Sequence, residues 1–355
     1  MIEKKSKIEV KIYGDNETSW LDILAFIDSL EFVPIQHDPR WSRIYRMLDH
    51  EKFFIAVARK KNVIIGISTF TIYEGPFGNI LHANPYMGYG GVSCIPGMEN
   101  EVIRSLMIGL LDWSAYFDCI TVSVSTPPFS EAIADYYISA LEADLSYKNF
   151  YQYHCIDRHP FDNLTSKRRH AFASEVRRAE SSGIKISQAV NALEVENWLD
   201  IYEERYAQIG ARILPRTFQM MLWNTFAPVG KAELHLACQD GQLLGGTLFL
   251  IGSGIVDYFS TAFRTDSMKL YPGTLILHRA FNRFIDLGIR RFNWQSSPSR
   301  NSGVYAYKKR WGALEGEHLI LTKILGDPKV FLQRPLHEVR DAYGGHFVLP
   351  YQLWE

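Results

Sequence analysis

The residues of this 355-residue chain best equipped for chemistry stand late in the sequence. From Arg290 to Arg310 there are six basic residues and no acidic one, and the segment Ser296–Gly312 (SSPSRNSGVYAYKKRWG) mixes them with glycine, serine, Tyr305, Tyr307 and Trp311. A basic loop after a strand offers cations and backbone N–H groups to phosphate or carboxylate, at the strand end where α/β folds place ligands. Gln295 and Ser296, at that strand end, can orient an acceptor by hydrogen bonds. Upstream, Asp257 interrupts the apolar run Ile255-Val-Asp-Tyr-Phe. A carboxylate there is costly unless paired or working, so it reads as a base, an amine-binding group or half of a structural ion pair. His278 follows Thr274 by one helical turn and reads as a substrate contact or as a partly buried histidine with a backbone partner. Arg168 and Arg169, early in a basic helix, read as phosphate contacts for a nucleotide-linked acceptor or tRNA, or as a solvated face.

Several classes of function are excluded. Lys+Arg 38 against Asp+Glu 39 leaves a net charge of −1, so the chain does not coat DNA by bulk charge. Cys94, Cys119, Cys155 and Cys238 form no C-x-x-C pair, and the 11 histidines form no H-E-x-x-H, so no metal is expected; His154-Cys155 with His159 is the nearest cluster. The Gly88–Gly91 loop lacks the G-x-G-x-x-G of a dinucleotide site, and no G-x-S-x-G elbow is present. The greasiest stretch, Gln242 to Val256, is broken by four glycines and reads as a strand pair instead of a transmembrane segment. The N-terminus lacks the apolar core of a signal peptide, so a cytoplasmic location is expected.

The elements that must position these residues repeat. FFIAVARKKNVIIGISTFTI (53–72) and LHLACQDGQLLGGTLFLI (234–251) each read as strand, polar turn and glycine-bearing strand, about half the chain apart. Downstream of each comes an amphipathic helix, Glu101 to Phe117 or Thr274 to Leu287, and then a strand, Ile120-Thr-Val-Ser-Val or Arg291-Phe-Asn-Trp. Such a helix crossover demands a mixed sheet with a parallel pair. The expected fold is therefore α/β (α+β), two tandem modules, each a mixed, mostly antiparallel sheet flanked by helices. Residues 1–160 form the first and 161–326 the second, which carries the site; 327–355 is an aromatic tail packing back on the modules. Between the hairpins the sequence predicts a helix from an N-cap at Ser166 to Gly183, and helices over Ala192 to Gln208 and Thr217 to Phe226.

Gly303-Val-Tyr-Ala-Tyr307-Lys308-Lys-Arg-Trp311-Gly312 fits a G-x-x-x-(Y/F)-K-x-x-(F/W)-G element, and here the chain resembles the FemAB-like acyltransferases, tandem relatives of the GNAT N-acyltransferases. Tyr271-Pro-Gly-Thr274, the basic helix after Ser166 and Pro85-Tyr-Met-Gly-Tyr-Gly90-Gly91-Val fit the same family. The resemblance spans about residues 50–325 and makes the modules GNAT-like. Two departures stand out. The usual Q/R-x-x-G-x-G/A pyrophosphate loop is absent, since the stretch from Arg264 to Gly273 has a single glycine, and Arg291-Phe-Asn-Trp-Gln lacks the acidic residue often found in that strand.

The resemblance implies transfer of an acyl group onto an amine by direct attack, with Lys308 the cation at the tetrahedral intermediate or at a substrate phosphate. Tyr305 and Tyr258 would donate hydrogen bonds or a proton nearby, and Gly273, Thr274 and Arg264 would hold the donor's phosphates. No tightly bound cofactor is implied. The donor is acyl-CoA or another acyl thioester, on a carrier protein for instance. The alternative is a FemX-type aminoacyl-tRNA, and a third reading is a degenerate module that only binds. The acceptor is a small-molecule or peptide-like amine, and a monomer is expected.

Overall fold

Both predicted turns are two-residue hairpin connections with positive φ at each central residue, 52° and 65° at Lys61 and Asn62, 50° and 80° at Asp240 and Gly241. That backbone twist matches the twist of paired strands, which is why Asn and Gly serve there. The computed structural model describes residues 7–14, 20–48, 50–83, 88–211, 213–297, 299–344 and 346–354. Pro85, Tyr86 and Met87 of the family-like segment lie outside the described residues.

Among the described residues the strands are β1 (Glu9–Tyr13), β2 (Glu51–Lys60), β3 (Val63–Gly75), β4 (Gly78–Ala83), β5 (Ser93–Cys94), β6 (Cys119–Ser125) and β7 (Leu145–Cys155). They continue as β8 (Lys185–Gln188), β9 (Ala232–Gln239), β10 (Gln242–Ile251), β11 (Ile255–Phe263), β12 (Arg291–Ser296) and β13 (Leu314–Ile324). The chain divides into two units, residues 1–150 with 316–355, and residues 151–315.

In the first unit the strand order is β1-β2-β3-β4-β6-β13. Every pair is antiparallel except β4 with β6, the parallel pair that the helix crossover demands. The crossing helix, Glu99–Tyr116, buries Val102, Ile103, Leu106, Met107 and Leu110 at helical spacing among Ala56, Leu81, Val122 and Val124 of the sheet. The C-terminal segment belongs to this unit. Its Phe331, Val339, Tyr343, Val348 and Leu349 form a second core with Tyr73 and Ile80. The Tyr343 hydroxyl donates to Gly78 O at 2.7 Å, pinning the segment to β4.

In the second unit the order is β7-β12-β11-β10-β9-β8, and β11 with β12 is the parallel pair. The helix Pro272–Asp286 closes this crossover and buries Leu275, Ile276, Leu277, Ala280, Phe281 and Phe284. Burying each of the larger of these side chains contributes about 1.5–3 kcal/mol. The basic helix spans Ser166–Ser181, and its N-cap is Thr165, not Ser166. Thr165 has the extended backbone a cap requires, and its side chain accepts from Arg168 N–H; Ser166 is already inside the helix.

Two irregularities shape the site. β10 and β11 change register between Leu248 and Phe249, leaving Phe259 of β11 without an opposite residue. β12 and β7 change register between Asn293 and Ser296. Here Gln295 adopts a left-handed φ of 63°, rare for a side chain of that size.

Candidate functional site

A cavity of about 510 Å³ in the second unit is lined by Arg205, Tyr258, Thr261, Phe263, Met268, Tyr271, Pro272, Gly273, Thr274, Gly303, Val304, Tyr307, Lys308 and Arg310. A somewhat larger hollow of about 600 Å³ in the first unit has, among the described residues, only Lys7 and Asp112 as charged lining, with Val10, Ile12, Ile108 and Trp113 beside them. Chemistry favours the smaller one.

Lys308 is the centre of its electrostatics. The basic segment expected as a loop contains a helix, Gly303–Arg310, capped by Ser302, whose side chain accepts from Tyr305 N–H at 3.2 Å. Helical spacing puts Val304, Tyr307 and Lys308 on one face, which lines the cavity. Lys308 is only 4% exposed, and its Nζ donates to the carbonyl oxygens of Gln295 at 3.1 Å and Ser296 at 2.8 Å. Burial pushes the amine down from 10.5 to about 7, because its charged form has lost water. At neutral pH such a lysine both holds and releases a proton.

The backbone around Gln295 makes this socket. Gln295 N–H donates to Asn293 Oδ1 at 3.0 Å, and Asn293 Nδ2 donates to Asp257 Oδ1 at 2.7 Å. Asp257, 2% exposed, therefore reaches Lys308 through Asn293 and the turned backbone, and it does not line the cavity. Gln295 and Ser296 serve the site through their carbonyls, although Gln295 also carries a buried Nε2 donor with no hydrogen-bond partner among the described residues. Tyr258, the neighbour of Asp257, does line the cavity. Burial, then the nearby Tyr307, hold its hydroxyl well above the ordinary tyrosine range, with Thr261 and Thr247 as hydrogen-bond partners. That group is a proton-bearing donor at any physiological pH.

Tyr305 lies on another face of its helix, bonded to Glu315 with Lys309 Nζ 5.7 Å over its ring, and is absent from the lining. Asp257, Lys308 and Tyr305 thus do not converge; Lys308 and Tyr258 do. Gly273 and Thr274 also reach the cavity, at the start of Pro272–Asp286. The first intrahelical bond there is Leu275 N–H to Tyr271 O, and no side chain caps the helix. The amides of Gly273 and Thr274 precede it and so have no intrahelical partner, with the helix dipole behind them. Thr274 donates to Glu175 Oε2 at 2.9 Å, and Glu175 also pairs with Arg310, so that acid is engaged.

The remaining candidates sit elsewhere. Arg264 donates to Leu243 O at 3.0 Å and leaves its place at the cavity to Arg205, which bonds Thr265 and Gln208. His278 shares a hydrogen bond of 3.0 Å with His159 and stacks on Phe161. Burial lowers His278 below its ordinary value. Arg168 is exposed, and Arg169 folds back onto the carbonyls of Asp162 and Leu164. Arg205, Tyr307 and Arg310 were not singled out as site residues from sequence. The i, i+3, i+4 spacing of Val304, Tyr307 and Lys308 was the available signal for Tyr307.

Residues 166–309 match the family profile of the acetyltransferase (GNAT) domain. In fold, the chain is similar to the crystal structure of FemX, with a TM-score of 0.72 at 12% identity over 90% of this chain and 98% of that one. It is also similar to a tandem GNAT protein from the clavulanic acid biosynthesis pathway (TM-score 0.55, 14% identity, 90% and 99% covered). A third similar fold is that of L-PGS from Bacillus licheniformis (0.55, 10%, 89% and 98%). No curated protein matches the sequence. The second unit's cavity thus lies in a GNAT-type domain, and the fold is a tandem of GNAT-like modules. Residues 166–309 therefore carry a GNAT-type domain, and the chain has the fold of FemX and of tandem GNAT proteins. Among the described residues no helix is long and apolar enough to cross a membrane.

Proposed function

We propose that this chain transfers an acyl group from an acyl-CoA, or a similar phosphopantetheine thioester, to an amine. The observation that carries the reading is the convergence on one cavity of Lys308, Tyr258, the uncapped helix start at Gly273–Thr274 and the cations Arg205 and Arg310. The helix amides and arginines suit the donor's phosphates, and the apolar surfaces of Phe263, Met268 and Val304 suit its pantetheine arm and acyl chain.

In the reaction the acceptor nitrogen attacks the thioester carbonyl carbon. Lys308 and the Tyr258 hydroxyl stabilise the oxygen as it becomes negative. The C–S bond then breaks, the leaving sulfur takes a proton that Lys308 supplies, and the amine's proton passes to solvent. No cysteine lines the cavity, which supports direct attack over a covalent enzyme intermediate. An aminoacyl donor fits less well. Its ammonium would enter a cavity lined by Arg205 and Lys308, with the remaining charges, Arg310 and nearby Glu175, paired to each other.

The test is thermal unfolding of the purified chain with acetyl-CoA, longer acyl-CoAs and free CoA. A ligand at 100 times its Kd stabilises by about 2.7 kcal/mol, a shift of several degrees. Stabilisation by one acyl-CoA, followed by release of free thiol when amines are added, supports the reading. Stabilisation without turnover over a broad set of amines leaves a binding module, and no shift with any thioester rejects the donor.

A further inference from the structure

A second constellation lies in the first unit, built from three distant stretches of chain. Glu51 opens β2, His82 stands on β4, and His346 follows the C-terminal helix Leu336–Ala342. One ligand atom from each lies within 4.8 Å of those of the other two. The His346 and Glu51 side chains are 7% and 4% exposed, and His82 is 2% exposed. His346 Nε2 is 2.7 Å from Glu51 Oε1, and the two imidazole rings lie 4.2 Å apart.

A simple carboxylate–imidazole hydrogen bond does not account for the arrangement. It leaves Glu51 Oε2 buried with no hydrogen-bond partner among the described residues, which is costly for a carboxylate oxygen. It also gives no reason for a second imidazole against the first. A cation bound between the three groups accounts for both. The Thr71 hydroxyl lies 2.7 Å from His82 Nε2, on the strand position paired with His82. It fixes the ring with Nε2 on the hydroxyl, so that an ion in the cluster would take Nδ1, as outer partners of metal-bound histidines arrange.

We infer that Glu51, His82 and His346 bind one divalent ion of the zinc class, with a water as fourth ligand. Two nitrogens and one carboxylate suit such an ion and not calcium or magnesium, which take oxygen ligands. At bond lengths of roughly 2.0–2.2 Å, tetrahedral donors stand about 3.4 Å apart, so side-chain rotations of about 1 Å close the site. Its burial and its use of His346 make it a clasp: the ion holds the C-terminal segment against β2 and β4.

The experiment uses the untagged full-length chain, stripped with chelator and titrated with Co2+, then Zn2+. The expected result is one tight equivalent, the visible absorption of low-coordinate cobalt, and its loss on adding zinc. Glu51→Gln and His82→Gln should each weaken binding more than tenfold, and Thr71→Val less. Zinc should also slow proteolysis of the C-terminal segment. A wild-type cobalt spectrum indistinguishable from the hydrated ion overturns the site whatever the variants do, as does equal binding by folded His82→Gln. Binding without protection of the segment overturns the clasp.

Discussion

The two crossover helices occupy equivalent places in their units, yet they treat a negative charge in opposite ways. Glu99–Tyr116 of the first unit carries Glu99 and Glu101 in its first turn, and Glu99 Oε1 accepts from Gly97 N–H at 3.0 Å. Its positive end is answered by its own carboxylates. Pro272–Asp286 of the second unit has no acid in its first turn and no side-chain cap, and Arg205, Lys308 and Arg310 line the cavity it opens on. One crossover, built twice, carries its own acids in the first unit; in the second it has none, and Glu175 from another helix meets the Thr274 hydroxyl and Arg310.

The strongest way to break this contrast is to remove its central cation. Lys308→Met should lower kcat for acyl transfer by about 10²–10³-fold while acyl-CoA binding survives. The wild-type rate should also fall as pH rises through about 7, where folded Lys308 loses its proton. The unfolded lysine keeps that proton up to about 10.5. Between those values the unfolded state binds more protons, so wild-type stability should rise with pH relative to Lys308→Met. Denaturant titrations of both proteins at pH 7 and 9 measure the difference, and parallel curves would contradict it.

Next in size, Thr274→Asp gives the second helix the first's acid. Acyl-CoA affinity should drop at least tenfold, whereas Thr274→Asn, alike in shape but neutral, should lose far less; equal losses would mean sterics, not charge. Asn293→Leu cuts the connection between Asp257 and the Gln295 backbone. We expect kcat to fall about tenfold and the alkaline limb of the pH profile to move upward, as Lys308 becomes better hydrated. A lower rate with an unmoved limb would make Asn293 merely structural. The smallest effect is Glu99→Ala, a loss of about 0.5–1 kcal/mol in stability with acyl-CoA affinity unchanged; altered affinity would erase the contrast between the units.

Much of the fold was legible because it rests on patterns that short windows reveal. Asp240-Gly241 between alternating strands announces a hairpin, and the predicted helix over Ala192 to Gln208 has those bounds in the structure. Lys308 was legible through its resemblance to a family element, and it lines the cavity. The details around it were hidden by backbone irregularity. The left-handed Gln295 turns carbonyls, where sequence offers only an amide side chain. Tyr305 lies off the Val304-Tyr307-Lys308 face once the segment is helical instead of a loop. The Glu51, His82 and His346 cluster escaped because only tertiary structure brings such remote positions together.

The unmatched Phe259 in β11 acts as a parity switch. Thr261 and Phe263 line the cavity, and strict alternation back along a regular strand would put position 257 beside them and turn 258 away. The extra residue reverses that count, presenting the Tyr258 hydroxyl to the cavity and sending the Asp257 carboxylate to Asn293. An insertion or deletion at this one point would exchange a neutral tyrosine for an anion at the cavity wall without altering either residue. In a lineage of such folds, the acid–base character of the cavity can therefore change by a slip in strand length, a route invisible to any comparison that counts only substitutions.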